Sequence, residues 1–145
     1  MLDNRNRTFD NLCVLQAENK GTITASAAGV DSSNVAAVFN TGGGFTKGDW
    51  VVDVHFCASA SSKDAVYLAL QASTVSSFAT KQELARMYFG NLTRTSFNAA
   101  AKLTGRFIKP FSNQYGDVVY QYLRVYCQGL GTFATGIDYA SFLSK

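Results

Sequence analysis

The chain has 145 residues, of which 47% are hydrophobic and only 16% charged, and a net charge of +3. That length suits one domain, which buries about two-thirds of its unfolded surface and holds a core without metal or disulfide. The charged fraction falls below the roughly 25% usual for globular chains, so the surface is either rich in Ser, Thr, Asn and Gly or partly covered by a partner.

The basic residues are scattered, the closest pair being Arg5 and Arg7, which argues against the clustered patch of a nucleic-acid binder. No apolar run approaches the roughly 18 residues of a membrane span. The opening "MLDNRNRTF" lacks the apolar core of a signal peptide. The expectation is a chain kept in a cytosol-like compartment, with neither nucleic acid nor membrane among its partners. Cys13, Cys57 and Cys127 are widely spaced and odd in number, the pattern of mostly buried thiols outside disulfides.

In chain order, "NLCVLQA", "GTITASA" and "NVAAVFN" are short strand candidates. In "DWVVDVHFCA" a period of two puts Trp50, Val52, Val54 and Phe56 on a bulky inner face, and Asp49, Val51, Asp53, His55 and Cys57 on the other. "AVYLALQAS" sets Val66, Leu68 and Leu70 against Tyr67, Ala69 and Gln71. "TKQELARMYF", Thr80 to Phe89, fits two states. Thr80 and Glu83 have capping-box spacing for a helix, and the same residues read as an edge strand. "GRFIKPF" carries the single proline, Pro110, which marks a strand end or edge. "YQYLRVYCQ" turns Leu123, Val125 and Cys127 inward and leaves Tyr122, Arg124 and Tyr126 as an outer stripe, a possible interface. "GIDYASFL" sets Ile137, Tyr139 and Ser141 against Asp138, Ala140 and Phe142. Gly-, Ser-, Asn- and Asp-rich turns separate these runs, so the fold class is all-β, an antiparallel sandwich or barrel.

Tests for chemistry give little. His55, the one histidine, shares a strand face with Asp49 and Asp53, but no GxSxG elbow accompanies it. Asp53, His55 and Cys57 cannot converge on a metal, because alternate side chains of a straight strand stand roughly 7 Å apart. "GGGFTKGD" lacks the residue order of a phosphate-binding loop. No catalytic residue, cofactor or metal site is expected, and the chain reads as no enzyme. Asp138 should meet solvent or Arg124 on a neighbouring strand. Tyr120, Tyr122, Tyr126 and Tyr139 suit a core or a protein interface more than a sugar platform.

Certain segments carry a family likeness. The N-terminal "LDNRNRTFDNLCVLQA", through Leu2, Asp3, Phe9, Gln16 and Ala17, resembles the opening of the small jelly-roll capsid cement proteins of tailed phages, the group typified by the cement protein of a Bordetella podophage. The closing hairpin is similar through Tyr122, Leu123, Arg124, Tyr126, Gly131, Thr135 and Gly136, and "FIKPF" resembles the segment before it. The region from Thr80 to Ala101 matches least, and "NTGGGFTKGD" also departs.

The resemblance implies a jelly-roll-like antiparallel β-sandwich of about eight strands, covering residues 11–145 behind an N-terminal arm of residues 1–10. It implies a virion protein assembled in the host cytoplasm that sits on the outer surface of an HK97-type capsid. There it would bind the major capsid protein and itself, as a dimer near twofold positions, and reinforce the joints between capsomers. Arg5, Arg7 and Phe9 are the candidate capsid-binding residues, pairing charge with an aromatic to bury. A carbohydrate- or receptor-binding module on the virion is the alternative.

Overall fold

The computed structural model describes residues 13–57, 65–90, 104–130 and 136–144. The proposed arm of residues 1–10, with Arg5, Arg7 and Phe9, lies outside them. The described residues form strands and turns with no helix. The strands are β1 (Val14–Gln16), β2 (Ala27–Ala28), β3 (Phe39–Asn40), β4 (Lys47–Cys57), β5 (Ala65–Ser73), β6 (Gln82–Gly90), β7 (Gly105–Ser112), β8 (Gln114–Tyr115), β9 (Val118–Val119), β10 (Tyr122–Leu130) and β11 (Ile137–Ser144).

Two antiparallel sheets carry the fold. The first has the order β1-β11-β4-β7. The second has the order β2-β10-β5-β6, with β3 also paired to β10. The pairs β1–β11, β2 and β3 with β10, β4–β7, and β5–β6 are nested, outermost with outermost, like one long hairpin. Rolling that hairpin over itself adds the closing pairs β11–β4 and β10–β5. That is the strand order of a jelly roll, a two-sheet solution to the problem of open strand edges. The chain is an all-β sandwich as its turn-punctuated sequence predicts, with the short β2 and β3 sharing one strand position.

Alternation fills the space between the sheets. Trp50, Val52 and Val54 from β4 meet Leu68 and Leu70 from β5, and Leu123, Val125 and Cys127 from β10, in one core cluster. Burying such side chains contributes about 1.5–3 kcal/mol each. Trp50 is fully buried, and its indole N–H donates to Ser141 Oγ at 2.9 Å, so its polar atom is not stranded. Gly29 lets β1 and β10 approach closely. A Cβ there would overlap the Leu15 carbonyl oxygen and stand 2.7 Å from Val125 Cγ1.

Bulges in β4 and β6 shift the alternation. In β4, Asp138 lies opposite Phe56 and Tyr139 opposite Val54, so His55 is an extra residue without a partner. Past it the phase reverses. Cys57 turns into the core at 8% exposure and Phe56 turns out at 47%. The sequence expectation had these two the other way round, because a strict period of two cannot see an inserted residue. In β6, Leu70 lies opposite Ala85 and Gln71 opposite Glu83, so Leu84 is the extra residue. Within the segment of Thr80 to Phe89, the chain is strand from Gln82 onward. That strand forms the edge of the second sheet, where Met87 and Phe89 gain a core that an isolated helix would not offer.

Candidate functional site

The outer face of the second sheet carries a set of polar and aromatic side chains in contact with one another. The register builds it in rows: Gln128, Tyr67 and Tyr88, then Tyr126, Ala69 and Arg86, then Arg124, Gln71 and Glu83. Ala69 is small and fully buried, so the middle row sinks below its neighbours. A concavity of about 480 Å³ lies over this part of the sheet, lined by Tyr67, Gln71, Lys81, Glu83, Arg124, Tyr126 and Gln128.

Arg86 organises one side. Its Nε and Nη2 donate to the two Glu83 oxygens at 2.6 and 2.9 Å, and Nη1 donates to the Tyr88 hydroxyl at 3.0 Å. The guanidinium lies 3.9 Å from the centre of the Tyr67 ring, a cation–π distance. Tyr67 and Tyr88 meet edge to face at 5.8 Å. The hydrogen bonds to Glu83, then Tyr88, hold Arg86 protonated more firmly than an ordinary arginine. Glu83 and Arg86 are three apart, which on a straight strand means opposite faces. The extra residue Leu84 between them brings both to the same side.

Arg124 anchors the other side. Its Nε donates to Gln71 Oε1 at 2.9 Å, and its guanidinium lies 4.3 Å from the Phe78 ring centre and 5.3 Å from that of Tyr126. The stripe of Tyr122, Arg124 and Tyr126 therefore lies on one outer face, half-buried, while Leu123, Val125 and Cys127 beneath it are fully buried. Arg124 does not meet Asp138, as the alternation suggested. The two belong to different sheets, and Arg124 turns to Gln71 across the β10–β5 pair. Tyr139 is buried in the core and Tyr120 packs against it, so neither joins this face.

The strand of His55 assembles no triad. His55 is exposed at the bulge, and Asp53 is held by Arg106 through two bonds of 2.6 and 2.8 Å. Burial pushes the Cys57 thiol up to about 11. Among the described residues no three His, Cys, Asp or Glu side chains are grouped to hold a metal ion.

A second surface lies at one end of the sandwich. Lys47 pairs with Ser112, and Ser73 and Asn40 both pair with Tyr122, so the β3–β4, β5–β6 and β7–β10 connections emerge together there. Asn113 ties two of them. Fully buried, its Oδ1 accepts from the Thr46 N–H at 2.7 Å, and its Nδ2 donates to the Gly44 and Tyr120 carbonyls, both at 2.8 Å. On the two tied connections Phe45, Tyr115 and Val118 are exposed by 57, 57 and 42%, and Val75 on the β5–β6 connection is exposed by 43%. Phe45 in "NTGGGFTKGD" and Tyr115 in "SNQYGD" lie in stretches that the sequence reading treated as turns, although Tyr115 ends β8 and Val118 begins β9. Their signal was a large apolar side chain inside a turn-like stretch.

No protein-family model matches the chain, and no curated protein matches it.

Proposed function

We propose that the chain is a structural virion protein, a jelly-roll decoration protein that binds the outer surface of a phage capsid and reinforces the contacts between capsomers. The observation that carries this reading is the apolar loop end. Large apolar side chains held outward on a hydrogen-bonded support mark a protein-docking surface, because water-exposed clusters of that kind cost solubility unless a partner covers them. The jelly-roll order agrees with the family that "LDNRNRTFDNLCVLQA" and "YLRVY" resemble. The described chain also begins toward this end, since Val14 lies opposite Phe142 and β11 runs on to Ser144 beside Asp49. An arm bearing Arg5, Arg7 and Phe9 would leave the domain there and add to the same contact. Many such modest contacts, repeated by symmetry and by a homodimer, would bind a shell through avidity.

Co-sedimentation with purified capsids tests this. The full chain is expected to pellet with shells at a fixed ratio. A chain carrying Phe45→Ser and Tyr115→Ser should remain folded and lose most of that binding, and one lacking the residues before Phe9 should bind more weakly. Equal occupancy by all three would remove both contacts from the account.

A carbohydrate- or receptor-binding module is the second reading. It is favoured by the concavity beside Arg124, lined by Tyr67 and Tyr126 together with glutamine and charged side chains. Specific binding on a glycan array without affinity for capsids would select it.

A further inference from the structure

Arg124 differs from its neighbours in what it lacks. Arg86 and Arg106 each hold a carboxylate through two hydrogen bonds, on Glu83 and Asp53. Arg124, among the described residues, has no carboxylate partner. It gives its Nε to a neutral amide oxygen and lays its guanidinium against Phe78 and Tyr126. The Nη1 and Nη2 fork is left to bind something else. Burial shifts Arg124 below the usual arginine range, while the hydrogen bonds to carboxylates shift Arg86 and Arg106 above it. A half-buried guanidinium fixed in place without a counter-charge is a preformed receptor for a planar anion, since its end-on fork matches the two oxygens of a carboxylate.

The surroundings narrow the ligand. Lys81 lines the same concavity, and both oxygens of Glu83 are taken by Arg86, so the field within it is positive. Tyr126 lines it with a ring, and Tyr67 with a ring that carries Arg86 over it. Gln71 Oε1 is taken by Arg124 and Gln128 Nε2 by Ser26 and Gly129, which leaves Gln71 Nε2 and Gln128 Oε1 for a ligand's hydroxyls. The volume of about 480 Å³ falls within the roughly 300–1,000 Å³ of small-molecule sites. A depression of that size, with a stacking surface and hydroxyl-binding amides, fits a sugar ring better than it fits a folded protein surface.

We propose that this concavity binds a carboxylate-bearing sugar. Its carboxylate would lie on the Nη fork of Arg124, with Lys81 nearby, and its ring against Tyr126. The proposal rests on the second reading above, a carbohydrate-binding module, and adds the chemical class of the sugar. It is independent of capsid attachment, which uses the loop end.

Nuclear magnetic resonance titration of the full chain with glucuronate, glucose and acetate at matched ionic strength tests it. Glucuronate is expected to bind saturably, with shifts centred on Tyr67, Gln71 and Tyr126. Glucose and acetate should bind at least about tenfold more weakly. Arg124→Gln should lose about tenfold or more, and Arg124→Lys, which keeps the charge and loses the fork, should also bind more weakly. Both variants are to be compared by melting temperature, and Arg124→Lys serves if Arg124→Gln does not fold. Equal binding of glucose and glucuronate in the concavity would overturn the carboxylate inference and leave sugar binding standing. Acetate matching glucuronate would overturn the sugar. Shifts elsewhere, or no binding of any probe, would overturn the proposal and the carbohydrate reading together.

Discussion

At the residue scale, the support of the loop end depends on Asn113. Its amide satisfies the Thr46 N–H and the Gly44 and Tyr120 carbonyls in a site without solvent. Asn113→Ala should cost about 2–3 kcal/mol, since it leaves buried partners unsatisfied. Urea unfolding measures this, and faster amide exchange at Thr46 should accompany it. Tyr139 is the opposite case. Its hydroxyl is buried without a hydrogen-bond partner, and burial pushes its pKa well above the ordinary value. Tyr139→Phe removes an unsatisfied group and should be neutral or stabilise by up to about 1 kcal/mol. A clear loss of stability would mean that the hydroxyl has a partner. Neither role could be read in the sequence. An asparagine in "SNQYGD" looks like any turn residue, and Tyr139 alternates like a core residue, which it is.

At the scale of elements, alternation made β5 and β10 legible residue by residue. Val66, Leu68 and Leu70, and Leu123, Val125 and Cys127, all point into the core. It failed where a bulge adds a residue. His55 turns Cys57 inward and Phe56 outward, and Leu84 brings Glu83 and Arg86 to one face. Bulges are set by cross-strand register, a property of two paired segments and not of either one alone, so the alternation within one segment does not reveal them. For the same reason the Arg86 side of the concavity went unseen while the Tyr122, Arg124 and Tyr126 stripe did not. The close approach of β1 to β10 at Gly29 was equally invisible. Gly29→Ala should cost about 2–3 kcal/mol, because the added methyl meets the Leu15 carbonyl and Val125. A denaturation midpoint equal to that of the parent chain would refute that packing.

At the scale of the whole molecule, two chemical handles report on the closed sandwich. Cys57 and Cys127 face the core from opposite sheets, and burial raises their pKa values to about 11 and about 12. At pH 8 the thiolate fraction of each is then on the order of 0.001 or less. In a Cys13→Ser background, a thiol reagent should label neither until the protein unfolds. Labelling at the rate of a small thiol in native buffer would show that the sheets open.

The central claim is that this jelly roll decorates a shell through its loop end. A cryo-electron microscopy map of particles bearing the protein tests it most directly. The account predicts a two-sheet density at fixed positions on the outer capsid surface, with Phe45, Val75, Tyr115 and Val118 turned toward the major capsid protein. Density confined to a tail or fibre, or a shell contact made by another face with that end in solvent, would contradict it.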